Sequence, residues 1–137
     1  MEAFSYIKQM ADRTMLQFDY EEVLGRTVTA VLGSTDGSAR WTSVAIVFNE
    51  LALILEVNTD TDEISVNLRA APTESRAWVP VAGLGYAVGS PLGWCWMGRN
   101  YLGYLDMFTL SFDALQPQVC FVGEASRLTI RAISPPS

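Results

Sequence analysis

The alternation of apolar and polar residues between Trp41 and Arg69 constrains this chain more than any other feature. If residues 41–48 and 51–58 fold back about Asn49-Glu50, Phe48 faces Leu51, Ile46 faces Leu53, Val44 faces Leu55 and Thr42 faces Val57. A second reversal about Asp60-Thr61 sets Val57 opposite Ile64, Leu55 opposite Val66 and Leu53 opposite Leu68. All of these residues lie on one face, and a slip of one residue at either turn would send the whole set to the other. Two independent turns that agree on one register specify an antiparallel meander with a buried face. The opposite face carries Ser43, Ala45, Val47, Ala52, Ile54, Glu56, Ser65, Asn67 and Arg69, mixed enough to be partly covered by a helix or another chain.

The rest of the chain is arranged around this meander. Upstream, Phe4, Ile7, Met10, Ala11, Met15 and Phe18 recur at mostly helical spacing, with Lys8, Gln9, Asp12 and Arg13 opposite, which predicts a helical segment within residues 1–24. A β-branched run from Gly25 ends in Gly33-Ser34-Thr35-Asp36-Gly37-Ser38, read as a turn. Residues 70–91 read as an irregular, partly buried crossing segment. Two hairpins follow. The first joins residues 92–97 and 103–112 and pairs Gly98 with Gly103; the second joins 119–123 and 127–133. Residues 134–137 form a tail. With 137 residues the chain suits one domain, 1–137, with a β-rich body over 25–133. The expected fold is α+β: seven or eight short strands in a bent antiparallel sheet or partly closed barrel, with one or two N-terminal helices.

Composition narrows the chemistry. There is no histidine, which removes Ser-His and Cys-His activation, imidazole proton shuttling and the commonest transition-metal ligand. No cofactor or metal is implied. The net charge of -6 and the lack of a clustered basic face argue against nucleic acid and anionic membranes. Residues 78–98 carry no charge, but Pro80, Pro91 and five glycines argue against a continuous membrane helix. Cys95 and Cys120 are too few for a disulfide framework and are expected to stay unjoined. With an N-terminus unlike a secretory signal, this points to the cytoplasm.

Two motifs resemble binding loops and fail on inspection. Asn58-Thr59-Asp60-Thr61-Asp62-Glu63 starts like a calcium loop, yet Glu63 and Arg69 occupy positions where an EF-hand needs Gly and Glu, so a polar turn explains it better. Gly83-Leu84-Gly85-Tyr86-Ala87-Val88-Gly89 lacks the glycine spacing and the strand-to-helix context of a dinucleotide loop.

Trp94-Cys95-Trp96-Met97 places both indoles on one strand face. The plainer reading is an aromatic core cluster, with Trp96 against Leu105 and Trp94 against Met107; the sharper one is an exposed recognition surface. The same register sets Cys95 opposite Asp106, either a structural carboxylate partnered by Arg99 or Tyr101 or an acid tuned beside a thiol. The candidate ligand-binding residues are therefore Trp94, Trp96, Arg99, Tyr101, Tyr104 and Asp106; no catalytic residue is assigned.

The apolar meander, the turn Asp60-Thr61-Asp62-Glu63-Ile64, and the later Gly93-Trp94-Cys95-Trp96 and Asn100-Tyr101-Leu102-Gly103-Tyr104-Leu105-Asp106 together resemble a family of small bacterial proteins classed only as a domain of unknown function. The resemblance spans about Gly25 to Ile133 and implies a bacterial cytosolic protein without assigning an activity. Function rests on charge asymmetry. Residues 1–76 hold 12 acidic and 6 basic residues, whereas 77–137 hold three of each and three of the four tryptophans. A charge-poor, aromatic-rich half favours a non-catalytic domain that binds a protein partner or self-associates. The alternative is a small-molecule pocket or histidine-independent enzyme lined by the six candidate residues.

Overall fold

The computed structural model describes residues 16–113 and 115–133. The helical reading of residues 1–24 falls mostly on residues 1–15, outside the described residues, as do Ala114 and the tail 134–137. From Leu16 to Leu24 the chain makes only one 3-10 turn, Tyr20–Glu22, with the Asp19 carboxylate accepting the Glu21 amide proton at 3.0 Å. The α+β expectation is therefore corrected: the described chain is nearly all β, with two 3-10 turns, Tyr20–Glu22 and Gly85–Ala87, and no α-helix. Leu16, Phe18, Tyr20 and Val23 pack against the sheets at a spacing no helix face provides, and the Tyr20 hydroxyl donates to the Gly93 carbonyl at 2.8 Å. No described helix is long and apolar enough to cross a membrane.

Among the described residues, nine strands form two sheets. β1 (Ala30–Thr35), β2 (Trp41–Phe48), β3 (Leu51–Val57), β4 (Ile64–Ala70) and the short β5 (Val79–Pro80) make the first, in the order β4-β3-β2-β1-β5. β6 (Leu92–Arg99), β7 (Leu105–Phe112), β8 (Val119–Glu124) and β9 (Arg127–Ala132) make the second, in sequence order. All described pairings are antiparallel and each sheet keeps both edges, so the expected single bent sheet or partly closed barrel is replaced by two open sheets. Val44, Ile46, Leu53, Leu55 and Val66 from the first sheet and Phe108, Leu110, Val119, Phe121 and Leu128 from the second share one core. Large apolar faces on both sheets are buried by stacking them, which a single sheet of this length could achieve only by closing.

The meander forms in the expected register from Ser43 onward, with Phe48 opposite Leu51, Ile46 opposite Leu53, Val44 opposite Leu55, and Leu55 opposite Val66, while the expected Thr42–Val57 pair does not form. Asn49 takes φ 62 at the first turn, a conformation Asn tolerates better than most residues. The opposite face is buried as well. Leu32, Ala45, Val47, Ala52 and Ile54 form a second cluster with Ala30, Ala71 and Trp78 packed against it.

β1 corrects one boundary. Gly33-Ser34-Thr35 lies in a strand and not in a turn. Ser34 pairs with Ser43 but Thr35 with Trp41, so Thr42 is the extra residue of a bulge on β2. The bulge reverses the alternation and brings the Trp41 ring over Gly33, where an added Cβ would lie 2.5 Å from the indole.

The calcium-like loop has another use. Asn58 Oδ1 accepts the amide protons of Asp60 (2.9 Å) and Thr61 (3.3 Å), and Thr61 Oγ1 accepts that of Glu63 (3.2 Å). Asp62 Oδ1 accepts the Ser126 amide proton at 2.8 Å, while the Ser126 hydroxyl donates to the Thr59 carbonyl at 2.7 Å. This polar turn thus ties the β3–β4 end of one sheet to the β8–β9 turn of the other. Gly123 sits under the junction, where any Cβ would overlap the Asp62 carbonyl oxygen.

Candidate functional site

The six sequence-selected residues all fall on the β6–β7 hairpin, but its register differs from the one expected. Gly98 pairs with Met107, Met97 with Phe108, Trp96 with Thr109 and Cys95 with Leu110. The anticipated pairs Trp96–Leu105, Trp94–Met107 and Cys95–Asp106 do not form. The cause is the Asn100 side chain, whose Oδ1 accepts the amide protons of Leu102 (2.9 Å) and Tyr104 (3.2 Å), while Gly103 at φ 90 donates its amide to the Asn100 carbonyl. These bonds close a loop over residues 100–104, so β7 starts at Leu105, not Gly103.

Both indoles point outward. Trp94 is 56% exposed, Trp96 36% and Met107, on the same face, 43%, so the aromatic-core reading is overturned. The inner face of this sheet is already filled by Leu92, Phe108, Leu110, Phe112, Val119 and Phe121, leaving no volume for a second layer of large rings. Tyr101 at the loop tip is 95% exposed; Tyr104 and Arg99 flank it, and Asp106 is half-buried at the start of β7. The structure therefore spreads the six along an outer face and its end loop. An open depression of about 350 Å³ beside Trp94 is lined by Leu24, Pro91 and Leu115 and by none of the other five.

Electrostatics on this hairpin does not favour covalent chemistry. Cys95 is half-buried against the core, and burial pushes its thiol up to about 11, so almost none is thiolate near neutral pH. Tyr20 is pushed well above its usual value by burial first and the nearby Cys95 second. Cys95 and Cys120 are both free thiols. Among the described residues no group of three or more His, Cys, Asp or Glu is placed to hold a metal ion.

A second concavity was not anticipated. A cleft of about 580 Å³ opens between the sheets, bounded by Arg40 and Trp41 at the start of β2, Val81 and Leu84 after β5, and the strand β9 with Arg127. Trp41 and Arg40 escaped the sequence reading because the bulge at Thr42 reverses the face they present. The only available signal was Gly33, a residue without a side chain in a β-branched run, which marks a place where something approaches the backbone closely.

Comparison with curated proteins and with solved structures returned no match. A family model does match, over residues 10–137, a span that takes in every described strand and both concave surfaces. On that match the chain belongs to a family of unknown function, DUF6334.

Proposed function

We propose that this protein is a non-catalytic binding domain that docks a protein partner on the outer face of the β6–β9 sheet. The observation that carries the reading is the pair of outward indoles, Trp94 and Trp96, with Met107 beside them on the same face. Tryptophan is among the residues most enriched at binding hot spots because it buries a large ring and loses few rotamers. The surroundings fit. Every large apolar side chain exposed among the described residues, Leu24 excepted, lies after residue 77, in the half that holds only six charges. The ion pair Arg131–Glu124, at 2.9 Å, stands on the same sheet as a polar rim. The free thiols suit a reducing cytoplasm, and the earlier resemblance suits a bacterial source.

The test is a Trp94→Ser/Trp96→Ser double variant, compared with the parent by sedimentation across a dilution series and by recovery of a stoichiometric complex from the native host. The parent should be recovered in a complex or as an oligomer, and the double variant as a monomer with the same melting midpoint. If the parent is a monomer at every concentration with no stoichiometric partner, or if both proteins behave alike, the reading fails.

A further inference from the structure

The inter-sheet cleft has an unusual wall: the free edge of a strand. Among the described residues β9 pairs only with β8, and Ile133 donates its amide to the Gln118 carbonyl at 2.8 Å, which fixes the phase of the ladder. In an antiparallel pair, hydrogen-bonded residues alternate with residues whose N–H and C=O point away. Counting back from Ile133, the pairs Arg131–Cys120, Thr129–Val122 and Arg127–Glu124 bond to β8, whereas Ala132, Ile130 and Leu128 turn their backbone groups outward. Those three residues line the cleft. An unpaired edge is a template for another strand, and proteins usually blunt it with Pro, Lys or a covering segment. Among the described residues this edge carries the charges of Arg127 and Arg131 but no Pro and no covering segment, and it faces a space of about 580 Å³.

The far wall supplies recognition. Trp41, held across Gly33, gives a flat apolar surface, and Val81 and Leu84 extend it. Arg40 and Arg127 both border this space on a protein whose net charge is -6. Arg40 is positioned by Asp36, at 3.2 Å. Backbone donors and acceptors on one side, an apolar floor and a cationic rim match strand addition, in which main-chain bonds give affinity and side-chain pockets give specificity.

We propose that this cleft binds an extended peptide segment of another protein, which pairs with β9 through Leu128, Ile130 and Ala132, lays an apolar side chain on Trp41 and places a carboxylate against Arg40 and Arg127. A second copy of β9 is a poor occupant, because it would bring its own Arg127 and Arg131 to a space that two arginines already border. The site is separate from the outer face bearing Trp94 and Trp96, so the two readings stand or fall independently.

The experiment pans the full chain against an immobilised library of random seven-residue peptides and measures binding of the enriched peptides by fluorescence polarisation. Acidic peptides rich in β-branched or aromatic residues should emerge. Ala132→Pro removes one outward amide while sparing the β8 ladder and should weaken them about tenfold, as should N-methylation of alternate peptide amides. Arg40→Glu/Arg127→Glu should abolish their binding and Trp94→Ser/Trp96→Ser should leave it unchanged, with melting midpoints reported for each variant. Failure to enrich any peptide overturns the proposal. So does an enriched set that tolerates N-methylation, or one that free glutamate displaces at equal concentration, which would make the cleft a small-anion site.

Discussion

The two sheets solve the same packing problem with different margins. In the first, both faces of β2 and β3 are buried: Ile46 and Leu53 face the shared core while Ala45 and Ala52 lie in the second cluster. In the second, the inner face is buried, while the outer face buries only small side chains such as Thr109 and Cys120 and leaves Trp94, Trp96 and Met107 in contact with solvent. A strand enclosed on both sides is fixed by packing at each residue, so its register has little freedom. A strand enclosed on one side can carry on the other whatever a partner requires. On the proposed function the first sheet is the scaffold and the second the docking surface.

The sharpest way to break this scaffold is at the junction between the sheets. Gly123→Ala would drive a methyl into the Asp62 carbonyl oxygen, a backbone atom that cannot move without opening the β3–β4 turn. Overpacking costs about 1–3 kcal/mol where side chains can yield, and here they cannot. We expect Gly123→Ala to be insoluble or to melt far below the parent, by circular dichroism. A variant that melts within a few degrees of it would show that the two turns are not rigidly joined.

The next contrast compares single truncations in the two sheets. Leu53 is fully buried at the centre of the meander, and Leu53→Ala should cost about 2–5 kcal/mol through lost transfer energy and a residual cavity. Trp94→Ala removes a larger side chain from an exposed face and should change stability by no more than about 0.5 kcal/mol. Urea titrations of both would decide it. Equal losses would mean that the outer indoles belong to the fold, and the docking reading would lose its basis.

The same contrast explains what could be read from the sequence. The meander was legible because its two turns and its alternation each specify the register independently, and Val44, Leu55 and Val66 can satisfy both only one way. The β6–β7 hairpin was not, because Trp94, Cys95, Trp96 and Met97 are apolar on both faces, so alternation gives no phase. Its register was left to the turn, and there the Asn100 side chain imposes a five-residue loop that composition does not reveal. The placement of the candidate residues on one hairpin was readable, but their outward orientation was not. It depends on whether the inner face is already full, and that is a property of the opposing sheet. The cleft was hidden for a related reason: a bulge is a local change of phase, and it moved Trp41 to a face the simple period excludes.

A smaller effect of opposite sign tests the β8–β9 turn. Ala125 and Ser126 both adopt positive φ, 53° and 64°, which Ser126 offsets through its bonds to Asp62 and Thr59. Ala125 is exposed, and its methyl side chain can make no such bond to compensate it. Left-handed backbone costs a non-glycine residue about 1–2 kcal/mol, partly cancelled on substitution by the greater freedom of Gly in the unfolded chain. Ala125→Gly should therefore raise stability by about 0.5–1 kcal/mol. A loss in urea titration would mean that the turn is not strained at this residue.

The smallest expected effect is one of pH, at the rim of the cleft. Asp36 is held at about 2, below its ordinary 3.8, chiefly by the Ser38 hydroxyl at 2.6 Å, then by the Ser38 and Arg40 amides and the Arg40 charge. Because the folded value is the lower one, the ionised carboxylate contributes stability that is complete above 3.8 and is lost as the pH falls towards 2. Asp36 is partly exposed beside Arg40, and solvent screens much of this contribution. Asp36→Asn should therefore melt slightly below the parent at neutral pH, and the gap should close as the pH drops through that window. A gap that stays constant down to pH 2 would mean that the turn gains nothing from the charge, and that Arg40 is oriented by the backbone of residues 36–40 alone.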